Sequence, residues 1–87
     1  MIQMDYAKEC RDFIVSNFLF GDEAPLDDST SFMESGIIDS TGMLELILFI
    51  EHRFAIKVGP QEMVPENLDS ISRLVRFIKD KHPKVAA

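Results

Sequence analysis

The residues best placed to do chemistry are Asp39 and Ser40, at the point where a long acidic stretch runs into an apolar one. From Gly21 to Glu51 the chain carries eight carboxylates (Asp22, Glu23, Asp27, Asp28, Glu34, Asp39, Glu45 and Glu51) and no Lys or Arg. Residues 43–54 that follow are almost entirely apolar and read as a helix. A serine at the head of such a helix puts its hydroxyl beside the positive end of the macrodipole, a setting that suits a residue destined to carry a phosphate. The same setting suits a plain helix cap, and the dipeptide alone does not choose between them.

Catalysis by Ser40 would need a base and a group to orient it. The chain has two histidines, His52 and His82. His52 lies twelve residues further along the same expected helix, roughly 18 Å away by helical rise. His82 sits in the tail beside Pro83, and there is no Gly-x-Ser-x-Gly elbow. No catalytic residue is therefore assigned. The acidic stretch lacks the alternating ligands and closing Glu of an EF-hand loop, and Cys10 stands alone, so no metal site is expected either. His52 reads as a surface residue and Cys10 as a small buried one.

Several elements must position these residues. Ile2, Tyr6, Cys10 and Phe13 recur at helical spacing, flanked by Ile14 and Phe18, and predict a first helix over about 3–19 ended by Gly21. A long connection, residues 21–39, follows, with Leu26, Phe32, Met33 and Ile37/Ile38 as its expected pins. Within it, Ser31-x-x-Glu34 predicts a short capped turn. The second helix is expected over about 40–53. Met43, Ile47, Ile50 and Phe54 form its core stripe, with Leu46 beside it. Thr41, Leu44 and Leu48 fall on another side with Glu45 and His52, more apolar surface than one core face needs. That surplus either meets another helix or forms an exposed contact patch. Pro65–Leu68 reads as a short turn of helix. Asp69-Ser70 then caps a last helix with Ile71, Leu74, Val75 and Ile78 inward, Arg73, Arg76 and Lys79 outward, and Pro83 as its stop. The expected fold is all-α, a single domain over residues 1–87 with three main helices, one short helix and a long first loop.

Composition narrows the class of function. At 87 residues, 46% hydrophobic with seven Phe, the chain has bulk for one compact core. One cysteine and no membrane-length apolar run point to a protein of the reducing cytoplasm. Residues 20–51 carry a net −8 against +2 for the rest of the chain, which argues against nucleic acid and for partner proteins with basic docking patches.

The ensemble Phe32-Met33-Glu34-Ser35-Gly36-Ile37-Ile38-Asp39-Ser40, Met43-Leu44-Glu45-Leu46-Ile47 and Glu51-His52-Arg53-Phe54-Ala55-Ile56 resembles the acyl carrier proteins and peptidyl carrier domains. The resemblance extends through Asn67-Leu68-Asp69-Ser70-Ile71 and Leu74-Val75-x-Phe77-Ile78, nearly the whole chain. It implies the acyl-carrier type of four-helix bundle, and a 4′-phosphopantetheine arm moved from coenzyme A onto Ser40 by a dedicated transferase. It further implies that acyl or aminoacyl groups ride on the arm as thioesters, in fatty-acid, polyketide or nonribosomal-type biosynthesis. On the same basis Asp39 would help the transferase or its metal engage the site. Thr41, Leu44, Glu45 and Leu48 would dock a loading ligase and the synthases or transferases downstream. The protein would be a monomeric, non-catalytic carrier whose cargo could rest among the helices beside Met43 and Met63.

Three positions and one spacing depart from the housekeeping fatty-acid pattern: Thr41 replaces the usual Leu, Gly42 an acid, Ala55 a Gly, and the Gly36-to-Asp39 spacing is one residue longer. The spacing is closer to carriers loaded by adenylating enzymes, such as D-alanyl carriers and stand-alone peptidyl carriers, and favours a specialised carrier. The competing reading from another class is an unmodified helical adaptor that uses the acidic loop and the Leu44/Leu48 patch.

Overall fold

The computed structural model describes residues 5–22 and 26–81. Expectations that fall on Ile2, Gln3, Glu23, Pro25, His82 and Pro83 lie outside the described residues. Three longer helices carry the fold: α1 (Tyr6–Phe18), α3 (Ser40–Phe54) and α5 (Ile71–Lys81). Two single-turn helices, α2 (Phe32–Ser35) and α4 (Pro65–Leu68), and a 3-10 turn at Pro60–Glu62 lie between them. The described residues contain no strand, so the all-α architecture of the acyl-carrier bundle holds. A second single-turn helix joins the one short helix expected.

Local chemistry explains the boundaries. Asp5 caps α1 by accepting from the Lys8 N–H at 3.1 Å, so the helix begins at Tyr6 rather than near residue 3. Ser31 caps α2 through the Glu34 N–H at 3.1 Å, and Gly36 ends it at φ 79°, a left-handed conformation that costs glycine nothing. Pro65 opens α4 and Ser70 caps α5 through the Arg73 N–H at 3.1 Å. At the end of α3, Ala55 takes the left-handed C-cap position (φ 56°) where the related pattern has Gly.

Helices α1 and α3 run antiparallel, joined by aromatic contacts along their length. Tyr6 meets Phe54 edge-on at 5.3 Å, Phe13 stacks on Phe49 at 4.1 Å, and Phe18 reaches the first turn of α3 beside Gly42. Arg53 closes the far end on Glu9 at 2.9 Å. α5 packs along α1 and against α4. The buried core takes Cys10 and Ile14 from α1 and Phe32 and Ile38 from the first loop. From α3 come Leu46, Ile47, Ile50 and Phe54, and from α5 come Ile71, Leu74, Phe77 and Ile78. Val75 packs half-buried against this core, as expected, and Phe77 joins the inward set as a further buried residue.

One expectation for the first loop changes. Leu26, Phe32 and Ile38 pin the first loop and Ile37 packs half-buried against the core, but Met33 is exposed. Two polar residues, Asp69 and Ser70, are buried in the interior. Asp69 Oδ1 accepts from the Met33 N–H at 3.0 Å, its Oδ2 accepts from the Ser31 hydroxyl, and its carbonyl accepts from the Phe32 N–H at 3.1 Å. One side chain, placed between α4 and α5, therefore clasps the short helix of the first loop. Arg11 holds the same loop from the other side, donating to the Leu26 carbonyl at 2.8 Å and pairing with Asp28.

Candidate functional site

Asp39, not Ser40, is the cap of α3. Its Oδ1 accepts from the Gly42 N–H at 2.7 Å and its carbonyl from the Met43 N–H at 2.8 Å. Ser40 is the first helical residue; its side chain is exposed and its hydroxyl makes no hydrogen bond to any described residue. The first-turn N–H groups of Ser40 and Thr41 likewise have no acceptor among the described residues. An uncommitted hydroxyl beside uncommitted backbone donors, at the N-terminus of a 15-residue helix, is an anion-compatible site. The two sequence readings of Ser40 are thereby separated, since the capping duty falls to its neighbour.

Gly42 permits a close approach here. A Cβ at this position would stand 2.7 Å from Phe18 Cε1 and 3.0 Å from Ile38 Cγ2. The end of α1 therefore presses directly on the turn that presents Ser40. This explains the glycine where the fatty-acid pattern has an acid. Nothing in the spacing of the sequence revealed it, because residues 18 and 42 meet only in three dimensions.

Two grooves flank the serine. One, of about 250 Å³, lies between α3 and the 60–68 segment and is lined by Ser40, Met33, Met43, Ile47, Met63 and Leu68. Its wall is nearly all apolar and its methionines are adaptable. Asp69 also borders it, with its carboxylate occupied by the clasp on α2. The other groove, of about 290 Å³, runs between Phe18 and Ile37 on one side and Thr41 and Glu45 on the other.

Thr41, Leu44, Glu45 and Leu48 are all exposed on α3, Leu44 by 58% and Leu48 by 64%. The surplus apolar stripe therefore faces largely outward, with Leu44 at the rim of the first groove. The acidic front is thinner than its charge suggests: Asp28 pairs with Arg11, Asp39 caps α3, and Glu51 Oε2 accepts from the Val58 N–H at 2.9 Å to fasten the 55–59 segment. His52 is exposed on α3, twelve residues from Ser40. No group of three or more potential metal ligands occurs among the described residues, and no helix of theirs is long and apolar enough to cross a membrane. Cys10 is fully buried, and burial pushes its thiol up to about 12.

This arrangement, a small helical bundle that offers one free serine at the head of an otherwise docked helix, defines a carrier-type domain. Residues 19–78 match the family described as "Phosphopantetheine attachment site". The chain belongs to that family, and its prosthetic group is covalent 4′-phosphopantetheine. Among its relatives, a probable acyl carrier protein, PigG, of a Serratia species is 29% identical over 73 residues, covering 82% of this chain and 84% of that one. The D-alanyl carrier protein of Streptococcus uberis is 32% identical over 59 residues, covering 68% and 73%. A solved chain described as "Crystal structure of FAD-dependent dehydrogenase" superposes with a TM-score of 0.70 at 30% identity, covering 79% of this chain and 97% of that one. The acyl/peptidyl carrier resemblance read from the sequence is thus upheld.

Proposed function

We propose that Ser40 is the residue that receives the arm, and that the chain is a specialised carrier loaded by an adenylating ligase. The observation that carries this is the exposed, unpaired Ser40 hydroxyl beside a cap supplied by Asp39. The residues fit the group: the hydroxyl is accessible, two N–H donors stand free beside it, and an apolar groove begins at its side. When bound, the arm supplies a terminal thiol that carries cargo as a thioester. Asp39 spends Oδ1 on the cap and keeps Oδ2 for the transferase or its metal ion. On this reading the chain is a non-catalytic carrier whose partner enzymes bring the chemistry. Thr41, Leu44, Glu45 and Leu48 form the docking face, a few central apolar contacts with one acidic neighbour. A buried, unpaired thiol suits the cytoplasm.

Incubation with coenzyme A and a broad-specificity phosphopantetheinyl transferase, followed by intact mass, tests the assignment. The expected result is a one-arm gain on the wild type and none on Ser40→Ala. No gain on folded wild type, or a gain that survives Ser40→Ala, sinks it. Full partner binding by Ser40→Ala would instead restore the unmodified-adaptor reading. Leu44→Ala and Leu48→Ala should slow loading while leaving stability within about 0.5 kcal/mol, since both side chains stand largely in water.

The D-alanyl relative and the longer Gly36-to-Asp39 spacing support aminoacyl or other ligase-loaded cargo. The intact mass of the protein isolated from its host reports arm and cargo together. A ladder of growing fatty-acyl increments would refute the specialised role. The similarity to a chain described with an FAD-dependent dehydrogenase adds such an enzyme to the partners worth trying, with flavin bleaching by the loaded carrier as the readout.

A further inference from the structure

The outward face of α3 keeps its charges apart. At 100° per residue Glu45, Leu48 and His52 fall within about 60° of one another, so they stand in a row along the helix. Glu45 lies toward the Ser40 end, in a stretch with no Lys or Arg between Arg11 and Arg53. At the other end the helix stops at Phe54 and the chain turns through Ala55 in the left-handed conformation. That turn brings Lys57 back beside the helix, where Leu48, His52, Ile56 and Lys57 line an open groove of about 600 Å³. The apolar stripe therefore runs past Leu48 into a hollow edged by a lysine.

Glu45, His52 and Lys57 are exposed, and none of their side chains has a hydrogen-bond or ion-pair partner among the described residues. Arg53 does not join them, because its guanidinium is paired with Glu9 on α1. Glu51 also borders the groove, but it is half-buried and holds the Val58 N–H through Oε2. Lys57 is thus the free cation at one end of this face and Glu45 the free anion toward the other. His52 adds a ring N–H donor in either charge state. By helical rise His52 lies about 10 Å from Glu45. That exceeds the Debye length of about 8 Å at physiological salt, so the two ends act as separate poles of opposite sign.

Reach separates the partners. The enzyme that attaches the arm must hold the Ser40 oxygen, and the groove begins only at Leu48, about 12 Å further along α3 by rise. An enzyme that loads the arm's terminal thiol is held off from Ser40 by the arm and can rest along the whole face. We propose that the groove of Leu48, His52 and Lys57 is the distal half of the docking site for the loading ligase. The ligase brings a basic residue to Glu45, an apolar side chain into the groove and an acidic residue to Lys57. This rests on the docking face and the ligase loading set out above. Opposite poles fix the direction of docking, since a ligase turned end for end would meet like charge at both. A uniformly basic partner patch, which the acidity of the chain suggests, would be repelled at Lys57.

Charge reversal at Lys57 therefore moves the two kinds of partner in opposite directions. With holo-protein, ATP, the cargo acid and the host adenylating ligase, KM for Lys57→Glu should rise about tenfold while kcat holds. A uniformly basic patch would instead lower it. Lys57→Arg, which keeps the charge, should stay within about twofold. The melting temperature of Lys57→Glu should match the wild type, because the side chain is exposed and unpaired. Arm attachment by the transferase should also stay within about twofold, since the groove lies more than a Debye length from Ser40. An unchanged or lowered KM for loading overturns the acidic contact. An equal rise for arm attachment overturns the assignment to the ligase, and a fall in melting temperature that tracks the rise would make Lys57 structural. Holo wild type that no adenylating ligase of its host loads refutes the loading assignment, and this inference with it; that result is read from the wild type alone.

Discussion

Replacing Gly42 by Ala sets two magnitudes against each other. Helix propensity alone makes the change favourable, by up to about 1 kcal/mol in a helix interior and less in a first turn. Packing opposes it. The new Cβ would lie 2.7 Å from Phe18 Cε1, 3.0 Å from Ile38 Cγ2 and 3.3 Å from Asp39 Oδ1. Carbon atoms rest at about 3.5–4.0 Å, so two neighbours must retreat together. Neither does so freely. Ile38 is fully buried, and the Phe18 ring is set edge-on against Phe13 at 6.0 Å, which is itself stacked on Phe49. Overpacking of this kind costs about 1–3 kcal/mol, so Gly42→Ala should be destabilised by about 1 kcal/mol net. That corresponds to a melting temperature lower by about 4–8 °C. Urea unfolding followed by circular dichroism gives the free energy directly. Phe18→Ala removes the nearest clashing atom but leaves Ile38 Cγ2 at 3.0 Å, so the double variant should show coupling of about 0.5 kcal/mol or more, the penalty of Gly42→Ala shrinking in the Phe18→Ala background. A Gly42→Ala protein more stable than wild type would refute the reasoning, because propensity would then have won over a contact that the fold does not enforce.

Two other outcomes follow from buried groups. Asp69→Ala removes the acceptor of the Ser31 hydroxyl and the Met33 N–H, and should cost about 2–4 kcal/mol. Amide exchange at residues 32–35 should quicken more than along α5; uniform protection across both would mean that the clasp does not hold α2. Cys10 should resist thiol reagents in the native state at pH 8 and react fully in urea, and rapid native labelling would contradict its burial. Because the folded thiol titrates near 12 and the unfolded one near 9.0, the folded state keeps its proton longer. The contribution is complete below pH 9 and is lost as pH rises toward 12, so unfolding free energy should decline across that alkaline window.

Much of the fold was legible because its determinants are local. Helical spacing placed the bodies of α1, α3 and α5, and Pro65 marked the start of α4. Boundaries shifted where a cap competed, as at Asp5, whose side chain ends what apolar spacing alone would have extended. Inward and outward positions on α3 were read correctly. On α5 the inward set was read correctly but incompletely: Phe77 is buried with it, and its burial depends on neighbours that spacing does not contain. Met33 was misplaced for a similar reason: its turn is held by backbone hydrogen bonds to Asp69, so its side chain is not needed as a pin.

The sequence by itself determined the class of protein: the Asp39-Ser40 step and the surplus apolar stripe of Thr41, Leu44 and Leu48 follow from order along the chain. Tertiary structure decided what each of those residues is free to do. Asp39 takes the cap, so Ser40 keeps its hydroxyl. Phe18 closes on Gly42, so the end of α1 packs on the turn that carries the serine. Local pattern reports which residues turn inward, but a side chain's freedom depends on neighbours contributed by distant segments, and only packing brings those together.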